Sequence, residues 1–181
     1  MTRLLTKSQP WMRLFILLCS QLGLRFHEAA RACPLHWNRE TQELAVIGKN
    51  NKPRNLPVTK EIAQMFAVAE KLDAPRDTPF IWLMLAKPCS VGPNLGSLRR
   101  DDNHIRKEWQ RMKRRLAINP ALVVHDLRRT RITQIYRETL DIKAAQQFAD
   151  HDNLDTTAHY IAPFDTTAMK DLLARLPRWK Q

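Results

Sequence analysis

Apolar residues recur at helical spacing near the start of the chain. The first such set consists of Trp11, Phe15, Leu18 and Leu22, and Gly23 ends it. Residues three or four positions apart share one face of an α-helix, so the pattern predicts a core helix that ends at Gly23. Thr6 and Gln9 have the spacing of a capping box at its beginning.

The residues after Gly23 predict a second helix and then a hairpin. The helix is expected from Arg25 to Pro34, because proline cannot donate a helical hydrogen bond and disfavours helix in the residue before it. Residues 42–58 contain the apolar segment ELAVIG, the polar residues 49–52 and the segment RNLPV. Asparagines 50 and 51 tolerate left-handed backbone, so a β-hairpin is predicted with Lys49 at or beside its tip.

The remaining pattern is mostly helical. Helices are predicted over 60–73, 79–86, 103–117, 125–139, 141–149, 155–161 and 165–175, and a loop over 87–101, which contains prolines and glycines without periodicity. The predicted fold class is therefore mainly α with a small antiparallel β-sheet or hairpin.

The helix at 103–117 combines an apolar stripe with many basic residues. Its stripe consists of Ile105, Trp109, Met112 and Leu116, and it is surrounded by Arg106, Lys107, Arg111, Lys113, Arg114 and Arg115. The stripe is expected to be buried. The basic side fits either contact with phosphates or a solvated surface.

Composition narrows the class of partner. A chain of 181 residues with 44% hydrophobic and 27% charged residues is expected to fold as a single domain, 1–181. Its 30 Lys and Arg against 18 Asp and Glu give a net charge of +12, which favours nucleic acid as the partner.

The cysteines and the apolar start of the chain exclude two other classes. Cys19, Cys33 and Cys89 have the spacing of neither a disulfide framework nor a metal site, so a reducing, cytoplasmic location without metal or cofactor is expected. The stretch LFILLCSQLGL is too short to cross a bilayer and contains Ser20 and Gln21. A buried helix explains it better than a secretory leader or a membrane anchor.

Candidate chemistry is concentrated in the second half of the chain. His125 and Arg128 are three positions apart and share a helix face, and His151 precedes Tyr160 by nine residues. Singly, such residues are usually surface contacts or half-buried core residues. Their separations matter together, since Arg25 precedes Lys49 by 24 residues and Arg128 precedes His151 by 23.

This set of residues resembles the fingerprint of the tyrosine recombinases, the phage-integrase family: an arginine, a hairpin lysine, a His-x-x-Arg pair, a histidine or tryptophan, and a tyrosine. The segments that resemble the family's motifs are LGLRFHE, GKNNKPRNLPV, HDLRRTRIT and HDNLDTTAHY, and the resemblance extends from about Leu5 to Tyr160. The chain departs from the family at Asp150, where a glycine is usual, and at Arg129, where many members have histidine. Asp can adopt some of the backbone conformations of glycine.

The resemblance implies the catalytic-domain fold of this family, without the N-terminal DNA-binding domain that relatives carry, and a double-stranded DNA substrate. It implies a site-specific recombinase or integrase in which Tyr160 forms a 3′-phosphotyrosyl link. The implied site comprises Arg25, Lys49, His125, Arg128, His151 and Tyr160, with Glu28 orienting the basic cluster.

Within this implied site, the two arginines stabilise charge and His151 adds a donor. His125 is the candidate base, and Lys49 is the candidate acid, with Lys52 as the next choice. Three alternatives remain open: a type IB topoisomerase-like enzyme, a telomere-resolving enzyme and a non-catalytic DNA-binding regulator. The apolar face of the C-terminal helix fits either self-association, as in a tetramer on DNA, or packing within its own chain.

Overall fold

Helices are the main elements of the computed structural model, which describes residues 2–48, 53–71, 74–85, 98–151, 153, 157, 158 and 174. The helices are α1 (Thr2–Lys7), α2 (Pro10–Ser20), α3 (Phe26–Arg31), α4 (Lys60–Ala69), α5 (Phe80–Leu85), α6 (Leu98–Arg115), α7 (Val124–Thr139) and α8 (Ile142–Ala149), with a 3₁₀ helix at Pro34–His36. The strands β1 (Trp37–Asn38), β2 (Glu43–Ile47) and β3 (Pro53–Pro57) form an antiparallel sheet in that order. The predicted fold class is confirmed.

The start of the chain forms two helices, and the predicted capping box is wrong. Thr6 lies inside α1, where its hydroxyl donates to the carbonyl of Thr2 (3.1 Å). The N-cap of α2 is Gln9, which has extended backbone and makes no side-chain cap hydrogen bond. Pro10 explains the break, because proline suits the first helical position and drives the preceding residue out of the helical region.

Helix α2 is the central element of the core. Its predicted apolar residues Trp11, Phe15 and Leu18 are buried, as is Leu22 just beyond it. It contacts α1, α3, α4 and α5. The periodic stripe therefore predicted the buried face correctly.

The hairpin is confirmed, and a third strand joins it. In β2 and β3, Leu44 pairs with Leu56 and Val46 with Arg54, and the leucines and Val46 are buried. Strand β1 was not predicted, since two residues are too few to show alternation. Residues 49–52, including Lys49 and Lys52, lie outside the described residues.

Several predicted boundaries shift. Arg25 is the N-cap of α3, which ends at Arg31 before the 3₁₀ helix begins at Pro34. Helix α4 ends at Ala69 rather than at residue 73. The loop prediction is wrong for residues 98–101, which already belong to α6, because these four residues include no glycine or proline that would prevent helix.

The chain forms two compact units, residues 1–128 and 129–181. In the second unit, Ile132 of α7 packs with Ala145 and Ala149 of α8 in a small buried cluster. The predicted helices at 125–139 and 141–149 are present, whereas most of 155–161 and 165–175 lies outside the described residues. That 1–181 acts as a single domain stays a prediction. None of the helices within the described ranges is long and apolar enough to cross a membrane.

Candidate active site

The first predicted arginine follows a tight turn at the end of α2. Gly23 has a φ of 62°, in the left-handed region where a Cβ is unfavourable. The N–H of Leu24 donates back to the carbonyl of Leu18 (3.1 Å), which closes the turn. Arg25 then caps α3 with extended backbone (φ −67°, ψ 156°). The turn thus places Arg25 at the N-terminus of a helix.

Glu28 contacts Arg25 through both carboxylate oxygens. Oε2 accepts from the backbone N–H of Arg25 (2.8 Å), and Oε1 accepts from Nη1 of its guanidinium (2.9 Å). The first contact is the Glu half of a capping box, and a carboxylate in the first helical turn is favoured by the helix dipole. Arg25 therefore holds the Glu28 carboxylate at two points, through its backbone N–H and through its guanidinium.

Arg54 also pairs with Glu28, and sequence reasoning missed it. Its Nη2 donates to Glu28 Oε2 (3.0 Å), and both side chains are largely buried. The segment RNLPV contains a signal for this contact. Arg54 and Leu56 are two positions apart in β3, so their side chains project from the same face of the strand. Leu56 is buried in the core, which indicates that Arg54 also points inward.

The second arginine box forms the start of α7. The N–H of Val123 donates to Asp126 Oδ2 (2.9 Å), so an acidic side chain again satisfies a donor at a helix N-terminus. Arg128 is only 1% exposed, and its Nη1 donates to the carbonyl of Gly23. His125, three residues earlier, is exposed. Arg128 is thus bound to the turn that precedes Arg25.

The charges of Arg128 and Glu28 both act on Cys19, a buried residue of α2. Burial raises the pKa of the Cys19 thiol, the Arg128 charge opposes this effect, and the Glu28 charge adds to it. The first unit therefore holds the guanidinium groups of Arg25 and Arg54 on the Glu28 carboxylate, and that of Arg128 on the Gly23 turn that precedes Arg25. Such a cationic cluster suits a phosphate, since arginine donates paired hydrogen bonds to phosphate oxygens.

The candidate histidine of the second unit lies just after α8. Asp150 ends the helix with left-handed backbone (φ 50°, ψ 53°), which explains why a glycine is usual at this position in the family. His151 Nδ1 lies 3.0 Å from the hydroxyl of Thr157, a buried residue, and the His151 carbonyl accepts from Gln146 Nε2 (2.9 Å). The first contact holds the imidazole, and the second holds the backbone that carries it.

The predicted site residues are thus distributed over both units. Arg25, Glu28, His125 and Arg128 belong to residues 1–128, and His151 belongs to residues 129–181. Lys49 and Tyr160 lie outside the described residues. Among the side chains that the structure describes, no group of three or more His, Cys, Asp and Glu is placed to hold a metal ion.

Curated relatives of this chain are tyrosine recombinases. It is 28% identical over 141 residues to tyrosine recombinase XerC of Mannheimia succiniciproducens, a match that covers 76% of this chain and 44% of the relative. It is 27% identical over 138 residues to XerC of Agrobacterium fabrum, covering 76% and 41% of the two chains. The chain spans less than half the length of either relative.

Solved structures with a similar fold are also recombinases. XerA recombinase has a TM-score of 0.71 at 18% identity, covering 98% of this chain and 63% of that chain. The integrase of mycobacterium phage Brujita has a TM-score of 0.61 at 20% identity, covering 97% and 55%. The model of the phage integrase family matches residues 1–167. Because this match extends over nearly its whole length, the chain belongs to the phage integrase family of tyrosine recombinases.

Proposed function

We propose that this chain is the catalytic domain of a site-specific DNA recombinase or integrase. It cleaves and rejoins strands of double-stranded DNA through a 3′-phosphotyrosyl intermediate. The observation that carries the proposal is the buried Arg128 bound to Gly23, beside the Arg25, Glu28 and Arg54 cluster. Two motif arginines held in one part of the fold suit a phosphate, because each guanidinium can donate paired hydrogen bonds to phosphate oxygens.

The proposed reaction is a transesterification at phosphorus. The phenolic oxygen of Tyr160 forms a bond to phosphorus, and the bond to the 5′-oxygen of the next nucleotide breaks. His125 accepts the phenol proton, and Lys49 gives a proton to the leaving oxygen. The reverse reaction, with a DNA 5′-hydroxyl as the nucleophile, rejoins the strand and releases Tyr160.

Positive charge lowers the barrier of this reaction. Negative charge accumulates on the non-bridging phosphate oxygens in the transition state, and fixed cationic donors stabilise it. Arg25 and Arg128 have this role in the proposal, and Glu28 orients Arg25. His151 supplies a further donor in the proposal: in the tautomer whose Nδ1 accepts a hydrogen bond from the Thr157 hydroxyl, Nε2 carries the hydrogen that it would donate to a phosphate oxygen.

DNA is the proposed partner, and one solved neighbour, the Tn1549 transposon integrase, was determined in complex with transposon right end DNA (TM-score 0.59, 17% identity, covering 91% of this chain and 58% of that chain). Exposed basic residues of α6, including Arg106, Lys107 and Arg114, add positive surface. Lys113 does not belong to this surface: it is buried, and its Nζ donates to the carbonyls of Pro120 (2.5 Å) and Leu122 (2.8 Å). The prediction that Lys113 lies on the basic side of this helix, facing phosphates or solvent, is therefore wrong.

DNA affinity is expected to fall steeply with salt. Each phosphate contact displaces a counterion, so about six contacts would weaken binding roughly 1,000-fold between about 50 and 200 mM salt. Fluorescence anisotropy with a labelled duplex measures this dependence. Affinity that stays constant over this range would contradict phosphate-driven binding.

Covalent capture tests the proposed activity. The protein is incubated with a pool of nicked suicide duplexes whose central bases are randomised, so that its recognition site is represented. A band that resists denaturation and contains both protein and DNA is expected, and sequencing of the captured DNA gives the site. Absence of an adduct from the whole pool would overturn the proposal.

Assays with the captured DNA sequence distinguish the alternative activities. A recombinase exchanges strands between two duplexes, a type IB topoisomerase-like enzyme relaxes supercoiled plasmid, and a telomere-resolving enzyme leaves hairpin ends. A non-catalytic regulator binds without an adduct. We assign recombination because the relatives and the solved neighbours are recombinases and integrases.

Assembly and location belong to the same proposal. A catalytic tetramer on DNA would form through the C-terminal apolar face, which comprises Ala168, Met169, Leu172, Leu173 and Leu176. These residues lie outside the described residues, and packing within the chain is the alternative. Action on bacterial or phage DNA implies the cytoplasm.

A further inference from the structure

We propose that Arg54 is a positioning residue for the DNA cleavage reaction. It acts through Glu28 to fix Arg25 relative to the hairpin strand that follows Lys49 in the sequence. The inference rests on the proposed function, because it assigns Arg54 a part in the same site.

The Glu28 carboxylate is the centre of this arrangement. Oε1 accepts from Arg25 Nη1 (2.9 Å), and Oε2 accepts from the Arg25 backbone (2.8 Å) and from Arg54 Nη2 (3.0 Å). Two of these contacts lie within the first turn of α3, and the third comes from β3. Glu28 therefore connects the helix that begins at Arg25 to the sheet.

The sheet register connects Arg54 with the hairpin lysine. Arg54 pairs with Val46 of β2, and the final pair of this ladder is Ile47 with Pro53. Lys49 falls in the five-residue segment between these last paired residues. A one-residue slip of the register would turn Arg54 to the opposite face of the sheet. The ion pair and the ladder thus specify the same position of β3 relative to α3.

Burial makes the Arg54 contact specific. The side chains of Arg54 and Glu28 are 14% and 7% exposed, whereas those of the surface pair Arg13 and Glu61 are 44% and 36% exposed. An exposed pair is screened by water and salt, whereas a buried carboxylate that loses one of its two cationic partners depends more strongly on the other. Removal of Arg54 would leave Glu28 to interact more strongly with Arg25 and would change the position of its guanidinium.

A split between cleavage rate and DNA affinity tests this role. Arg54→Met is expected to slow single-turnover cleavage of the captured site about 10- to 100-fold, as for a misplaced catalytic group. The dissociation constant for DNA should change less than about threefold, which is a small difference in binding free energy. Arg54→Lys should recover part of the rate, because it restores the charge with one donor. Arg13→Met, the matched surface control, should cleave at the wild-type rate.

The double variant shows whether Arg54 acts through Glu28. Arg54→Met combined with Glu28→Gln should be no slower than Glu28→Gln alone, since the two changes interrupt one connection. In arginine-detected NMR spectra of the free protein, the Arg25 Nε–Hε resonance should shift in Arg54→Lys but not in Arg13→Met. This second measurement is independent of cleavage and does not require Arg54→Met to fold.

Two results would overturn the inference while leaving the proposed function intact: wild-type cleavage rates in the folded Arg54 variants, or an unchanged Arg25 resonance. Equal losses of rate and affinity would instead make Arg54 a DNA contact and would also overturn it. If the wild-type protein forms no adduct with any duplex, the proposed function itself fails.

Discussion

Replacement of Tyr160 by phenylalanine is expected to abolish the denaturation-resistant protein–DNA adduct while DNA affinity stays within about threefold of wild type. Phenylalanine keeps the ring but lacks the phenolic oxygen that would attack phosphorus, so the covalent link cannot form. The measurement is a denaturing gel with the captured duplex, together with anisotropy titrations of both proteins.

The chain contains a natural control for this substitution. It has two tyrosines, and the second one, Tyr136, packs partly buried against the cluster of Ile132, Ala145 and Ala149. Tyr136→Phe should form the adduct as wild type does. An adduct with Tyr160→Phe, or its loss with Tyr136→Phe alone, would show that Tyr160 is not the nucleophile.

The sequence alone predicts the elements whose burial is periodic. The α2 stripe and the α6 stripe of Ile105, Trp109, Met112 and Leu116 are buried as expected. The spacing of apolar residues along a helix indicates which of its faces is buried in the core. The hairpin is predictable for the same reason, since its residues alternate between core and surface. Strand β1 has only two residues, so it shows no such pattern, and it is defined by its pairing with β2.

Contacts between residues far apart in sequence are harder to predict. Arg128 and Gly23, which share a hydrogen bond, are 105 positions apart, and nothing in either motif indicates this pairing. Lys113 is buried because backbone carbonyls of the segment after α6 accept hydrogen bonds from its ammonium group, and a basic sequence pattern gives no sign of these acceptors. In both cases, backbone carbonyls decide where a cation lies, and side-chain patterns do not report them.

The site residues likewise differ in whether local sequence patterns or distant contacts determine them. Motif spacing identified Arg25, Glu28 and Arg128, which lie in the same unit, but it did not identify Arg54, whose contact with Glu28 depends on the register of the sheet. Asp150 illustrates the opposite case. Its left-handed conformation follows from the position after a helix, where the family has glycine and aspartate is a tolerated substitute.

Replacement of Arg128 by methionine is expected to slow single-turnover cleavage by about 100-fold or more, the cost typical of losing one donor to a developing oxyanion. Methionine retains much of the side-chain length but no charge and no hydrogen bond. The folded state should lose about 1 to 3 kcal/mol, because the buried Gly23 carbonyl loses its donor. Rapid-quench cleavage assays and urea unfolding measure the two effects separately.

The size of these two effects distinguishes a catalytic role of Arg128 from a structural one. A loss of 1 to 3 kcal/mol leaves a typical domain of about 5 to 15 kcal/mol folded, so it cannot by itself lower the rate 100-fold. Arg128→Lys should be intermediate in rate, since an ammonium keeps the charge but not the paired donors of a guanidinium. Arg137→Met, which alters an exposed arginine of the same helix, should retain both rate and stability. If Arg128→Met instead cleaves at the wild-type rate and loses only stability, Arg128 serves to hold the Gly23 turn and another cation must stabilise the phosphate.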